Sequence, residues 1–182
     1  MTMPMPQPDI PQASIIASLF IQAIREGHSL WFRVASNSMN PLLRLGDTVF
    51  IEPVRANEIH IGEIAAFETP AGLVIHRIVH KQQMGGTIRL LQMSDVELLP
   101  SWVNEQATVG RVVRTRRESS EVDMLHPIAK RCGTVTAGMR YKLYLYNKNI
   151  PLRMVLRVCS RLIIRSGYWC IRLCCTSPTI SE

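Results

Sequence analysis

Cysteine is absent from the first 131 residues of this 182-residue chain; all five, Cys132, Cys159, Cys170, Cys174 and Cys175, lie beyond them. That distribution excludes a disulfide framework for the larger part of the chain. An odd count gathered in one tail points to a reducing compartment. Basic residues are missing from Met1 to Pro11, which carries four prolines instead. A secretory signal peptide, which opens on a positive region, is therefore not expected there. Long apolar runs are missing too. The first, Ile15 to Ile24, has ten residues and contains Gln22, whereas a bilayer span needs ~20. The Cys170-x-x-x-Cys174-Cys175 cluster has no histidine or acid beside it. It reads as apolar or lipid-facing packing, and no metal is assigned to it. Charged residues make up only 19% while hydrophobic ones reach 47%, which excludes wholesale disorder.

What is present divides unevenly. The net charge is +7, but residues 1–110 hold 7 Lys+Arg against 10 Asp+Glu, and residues 111–182 hold 14 against 4. The two parts are expected to face different surroundings. The length suits one medium domain, or a small domain with appendages. Eleven prolines and ten glycines suit a loop-rich β fold better than a helical bundle.

From Ala13 to Glu26, Ile15, Ile16, Leu19, Phe20, Ala23 and Ile24 recur at helical spacing. Ser14 is the expected N-cap of that helix and Gly27 its C′ residue. The period then changes to that of strands. Ser29 to Val34, Thr48 to Pro53, Glu63 to Glu68, Leu73 to His80, Thr87 to Gln92 and Ala107 to Thr115 predict six short strands. The Thr69-Pro70-Ala71-Gly72 turn makes a hairpin of the third and fourth. Strands so close together, with few helices between them, predict a mainly β fold: an antiparallel sheet or partial barrel. Arg116 to Asp123 reads as a polar link. After Pro151, residues 152–165 place Arg153, Arg157, Arg161 and Arg165 four apart. Steps of four advance ~40° on a helix, so the arginines cover an arc of about 120° and apolar residues the rest. With Tyr168 and Trp169 just beyond, 152–169 reads as a basic amphipathic segment for an anionic membrane surface. Nucleic acid is not an expected partner, since this pattern fits a headgroup plane better than a groove. The partition that follows is residues 1–28 as tail and helix, 29–117 as catalytic β domain, and 118–182 as a basic helical region.

The most informative stretch is Ser36-Asn37-Ser38-Met39-Asn40-Pro41, followed by Leu45-Gly46-Asp47-Thr48-Val49, by Gly62-Glu63-Ile64-Ala65-Ala66-Phe67, and by Val74-Ile75-His76-Arg77-Ile78-Val79. Singly each is weak. In this order and spacing they resemble the type I signal peptidase family, which is allied to the S24 self-cleaving repressors. The resemblance covers about residues 33 to 113. It implies a signal-peptidase or S24-like antiparallel β fold and a serine endopeptidase that cuts a peptide or pre-protein after small residues. The family's usual N-terminal anchor is not seen ahead of the boxes, so membrane contact is expected through the C-terminal helix. Where bacterial housekeeping enzymes and repressors carry a lysine, this chain has His76, and His76-Arg77-Ile78 looks like the endoplasmic-reticulum-type, Ser–His members.

The chemistry agrees with that resemblance. A serine hydroxyl is a poor nucleophile until a base takes its proton, and histidine, with an unperturbed pKa of ~6.5, supplies a neutral imidazole near neutral pH. Ser38 is placed at a strand-to-turn junction and His76 in the middle of a hairpin strand. The resemblance implies that Ser36 lends its hydroxyl to the oxyanion hole. It also implies an acid that orients the imidazole. Gln92-Met93-Ser94-Asp95-Val96-Glu97 stands where relatives carry a Gly-Asp-Asn-Asn box, so Asp95 is the candidate and Glu97 the second, with a Ser–His dyad as the alternative. Ser101 stands where relatives place a further acid. His80, four residues past His76, is expected on the same strand face, but ~13 Å away, too far to share an ion. No metal or cofactor is assigned. A self-cleaving regulator or a non-catalytic basic binding protein are the competing readings.

Overall fold

The computed structural model describes residues 10–145, 162 and 165–178. Helix α1 spans Ile10–Arg25. It starts before the expected Ala13, with Pro11 in its first turn, where a missing N–H costs nothing; Ser14 therefore lies inside the helix and does not cap it. Its end follows expectation. Gly27 adopts φ +99°, its N–H reaches the Ile24 carbonyl at 2.9 Å, and the His28 N–H reaches Ala23 at 3.0 Å. That pair of bonds is the Schellman stop, which needs the left-handed conformation glycine accepts. Ile21 and Ile24 enter the core, while Ile15, Ile16 and Leu19 on the opposite side stay about 60% exposed.

The rest is mainly β, as the alternation predicts. Strands β1 (Leu30–Arg33), β2 (Thr48–Glu52), β3 (Ile64–Thr69), β4 (Gly72–Met84), β5 (Thr87–Met93), β6 (Ser101–Asn104), β7 (Thr108–Arg117), β8 (Ser120–Asp123) and β9 (Thr176–Pro178) join one antiparallel sheet curled into a partial barrel. The order along it is β1-β2-β7-β3-β4-β5-β6. Strand β7 is the hub: β2 pairs along one edge, β3 and then β8 along the other. Three strands, β6, β8 and β9, were not expected from the sequence. The stretch read as a polar link, Arg116 to Asp123, holds the end of β7, a turn at Glu118 with φ 53° and all of β8; its one buried apolar residue, Val122, is too little for a period to emerge.

Helix α2 spans Pro127–Leu145 and packs on β4. Its inward residues, Ala129, Gly133, Thr136, Ala137, Arg140 and Leu143, have helical spacing but mostly small or polar side chains. A third helix, α3, covers 165–175 and leads into β9, which pairs with β8. Of the basic helix expected over 152–165, only Leu162 and Arg165 fall among the described residues; both are exposed. The expected aromatic pair is split. Tyr168 packs against the core and Trp169 is 62% exposed. Cys175 is buried, while Cys170 and Cys174 are exposed.

Helix α2 approaches the turn before β3 through two glycines. A Cβ on Gly133 would stand 2.6 Å from the Gly62 carbonyl oxygen, and one on Gly62, itself at φ +97°, only 2.4 Å from the Thr134 nitrogen. In an open helix Gly→Ala stabilises by ~1 kcal/mol. Here the sign reverses: Gly133→Ala should destabilise by about 1–3 kcal/mol, read as a lower midpoint in urea unfolding. A raised midpoint would contradict the close approach.

Candidate active site

Ser38 opens the tight turn that follows β1. The turn is fixed from below by Met39, which is 2% exposed, and contains a cis Asn40–Pro41 bond. From the side, Asn37 accepts the Leu45 N–H at 3.0 Å. The two serines of the first box come together: the Ser36 hydroxyl donates to Ser38 Oγ at 3.1 Å, and the Ser38 N–H points back at Ser36 Oγ at 3.5 Å. Both hydroxyls therefore border one spot, with the Ser38 amide beside them.

Asp47, from the Gly-Asp box, closes the far end of this loop. Its carboxylate accepts the Arg44 N–H at 2.9 Å and holds the Arg117 guanidinium at the end of β7, where Nε sits 2.8 Å from Oδ1. Arg117 also donates to the Leu42 carbonyl at 3.2 Å and to the Tyr168 hydroxyl at 2.8 Å. Asp47 and Tyr168 hold the Arg117 pKa above its ordinary value. One cation thus gathers the Ser38 loop, the hub strand and α3.

His76 lies within β4, the second arm of the hairpin, and is half-buried. Its Nδ1 is hydrogen-bonded to the Gln92 side-chain oxygen, and the Gln92 amide nitrogen donates to Ser101 Oγ. Burial pulls the His76 pKa below the ordinary 6.5; the Gln92 bond and the nearby charges of Asp95 and Glu97 oppose that, and Arg140 adds to it. Among the described residues, no hydrogen bond links Ser38 to His76.

What couples them is the segment after β5. Ser94 Oγ donates to the Ser38 carbonyl at 2.6 Å, and the Val96 N–H reaches that carbonyl at 3.1 Å. The next residue, Asp95, faces the other way, onto Arg77, the neighbour of His76 in β4. Arg77 Nε and Nη2 meet its two oxygens at 2.9 and 2.6 Å, and Nη1 reaches the Gly62 carbonyl at 2.8 Å. The two side chains are 4% and 0% exposed. Arg140 of α2 completes the cage by donating to the carbonyls of Asp95, Ser94 and Glu97.

This placement corrects part of the sequence reading. Asp95 does not hydrogen-bond the imidazole, because Arg77 engages both carboxylate oxygens. Glu97 is exposed and makes no hydrogen bond to His76 among the described residues. The side chain that touches the ring is Gln92, a neutral amide to which the box pattern drew no attention. His80 does not share the face of His76. A bulge between Ile78 and His80 shifts the register, so His80 stacks on Tyr141 of α2 with centroids 4.6 Å apart. Arg117 and Arg140 also escaped notice, since both belong to a part of the chain whose arginines read as surface charge. Their signal was faint: Arg140 continues the inward spacing of Gly133, Thr136 and Ala137.

The model of the Peptidase S24-like family matches residues 7–113, which include Ser36, Ser38, His76, Gln92 and Asp95. No curated protein matches the chain.

Breaking a buried ion pair by removing one partner costs about 3–5 kcal/mol, whereas replacing both by apolar groups of similar volume is close to neutral. Asp95→Ala should therefore lower the unfolding free energy by about that amount, and Arg77→Met with Asp95→Leu should recover most of it. Urea denaturation decides; an Asp95→Ala protein as stable as the parent would show that the pair does not hold the loop.

Proposed function

Given that the chain belongs to the Peptidase S24-like family, we propose that it is a serine endopeptidase of the signal-peptidase type, with Ser38 as nucleophile and His76 as general base. The observation that carries this reading is the shared frame: the Ser38 carbonyl is held by Ser94, and the adjoining Asp95 grips the strand at the residue next to His76. Two side chains 38 positions apart are thus referenced to the same three-residue segment.

In the proposed reaction, neutral His76 takes the Ser38 proton through Nε2 as Oγ attacks the scissile carbonyl. The charge that develops on the carbonyl oxygen meets the Ser38 N–H and the Ser36 hydroxyl. The imidazolium then returns its proton to the leaving amine, which departs and leaves an acyl-enzyme on Ser38. Water, activated by the same imidazole, releases the acid and restores the serine. Hydrogen bonds of this kind are often long in a free enzyme and tighten on substrate; Ser38 would turn from Ser36 to His76 as the cleft fills. Substrates cut after small residues follow from the resemblance of the boxes. Self-cleavage is the weaker reading, since the Ala71-Gly72 bond lies at the tip of the β3–β4 hairpin, clasped by Thr69 Oγ1 at 2.9 Å from the Gly72 carbonyl.

The site is proposed to work at an anionic membrane surface, approached by residues 152–169. No helix among the described residues is long and apolar enough to cross a membrane. The exposed Ile15, Ile16 and Leu19 of α1, and Trp169 and Leu173 of α3, support attachment at the surface.

Ser38→Ala should abolish labelling by a fluorophosphonate probe and cleavage of a peptide substrate, with the unfolding midpoint nearly unchanged. His76→Ala should abolish both reactions as well, and Ser36→Ala should slow acylation by ~10²–10³-fold. Cleavage that survives Ser38→Ala ends the peptidase reading. For the membrane, Arg153, Arg157, Arg161 and Arg165 should be replaced together by Gln. Deleting the tail would also remove Ile171 and Cys175 from the core. Binding to anionic vesicles should weaken by roughly fivefold per arginine; unchanged sedimentation would remove the membrane role.

A further inference from the structure

We propose that Gln92 is a positioning residue: it holds the imidazole proton on Nδ1 and thereby leaves Nε2 of His76 unprotonated, ready to act as base. This rests on the Ser–His reading above and assigns the part that an acid was expected to play. The sheet supplies the geometry. Gln92 of β5 pairs with Ile78 of β4, so it sits on the same face as His76, two residues earlier in that strand, at the diagonal distance that a long side chain spans. On its other side Gln92 pairs with Ser101 of β6. The register therefore lines up ring, amide and hydroxyl across three adjacent strands, and the hydrogen bonds run in that order.

The orientation of the amide, with its oxygen toward Nδ1, is what selects the tautomer. An amide oxygen only accepts, so the ring nitrogen facing it must donate. Turned over, the amide would offer N–H to Nδ1 and push the proton to Nε2, which is the wrong tautomer for a base on that side. In the observed orientation the amide nitrogen donates to Ser101 Oγ. Beyond Nδ1, the His76 ring has no hydrogen bond among the described residues, which leaves Nε2 free for Ser38.

A neutral orienter differs from an acid in one respect. It selects the tautomer without adding a negative charge against the ring, so the imidazolium gains less and the base stays deprotonated to lower pH. The charged groups acting on His76 are Asp95 and Glu97 from the β5–β6 segment and Arg140 from α2; Asp95 is already matched by Arg77. The site is thus arranged to keep a neutral imidazole in mildly acidic conditions.

The test combines nitrogen-resolved NMR of the His76 ring with the pH dependence of fluorophosphonate acylation, on the full chain and on two variants. In the parent protein the neutral ring should carry its proton on Nδ1. Gln92→Leu should move it toward Nε2, the form that free histidine favours in water, and slow acylation by ~10²-fold or more. Gln92→Glu, close in size, should keep the Nδ1 proton but raise the His76 midpoint by about 1–3 pH units. Because the base acts only when deprotonated, the acid limb of acylation must move to higher pH with it. A parent ring protonated on Nε2, or a Gln92→Glu midpoint that stays in place, overturns the proposal. Should the parent fail to react with the probe at all, the peptidase reading falls, while tautomer and midpoint still decide what Gln92 does.

Discussion

The ion pair between Arg77 and Asp95 carries the arrangement of the site. Two opposite charges removed from water are tolerable only with near-complete hydrogen bonding, and here it is supplied. Asp95 receives the guanidinium at both oxygens, and Arg77 spends a remaining donor on the Gly62 carbonyl. The pair joins β4 to the segment behind the Ser38 loop, just past the end of β5. Because the penalty for separating the charges is large, the segment has one low-energy position. Ser94 and Val96 then transmit that position to the Ser38 carbonyl.

The charge asymmetry of the sequence takes on a second meaning against this frame. The basic half of the chain sends some of its arginines inward. Arg117 binds Asp47 and the carbonyls of Pro41 and Leu42 in the Ser38 loop; Arg140 binds three carbonyls around Asp95. Both act as multi-donor clamps on backbone that no strand or helix would otherwise satisfy. The part of the chain read as an appendage therefore reaches the Ser38 loop through α2 and α3, and Tyr168 adds a hydrogen bond to the first clamp.

Much of the fold was legible because alternation and turn residues are local signals. All six expected strands begin within one residue of the observed ones, and Gly27 ends its helix in the manner its position implied. The strands that escaped, β6, β8 and β9, have three or four residues, too few for a period to emerge. Helix α2 was hidden for another reason. It is pressed so close to the turn at Gly62 that small residues replace the large apolar ones by which a buried face is recognised. In the site, the boxes singled out Ser36, Ser38 and His76, because spacing along the chain encodes the loop and the hairpin. The partner of the imidazole could not. Gln92 reaches His76 only through the register of β4 on β5, and Asp95, which the box resemblance favoured, turns to the opposite side of the sheet.

The bulge between Ile78 and His80 lets one strand serve two layers. Before it, odd and even positions of β4 address the interior of the curled sheet and α2 in strict alternation; after it, the parity is inverted. His80 can therefore belong to an aromatic stack on the helix while His76 remains in the cleft, although both stand at even numbers. Deleting a single residue at that point would return the strand to simple alternation and exchange the two layers for every position beyond it. The count of residues along β4 thus shapes the site as strongly as their identities.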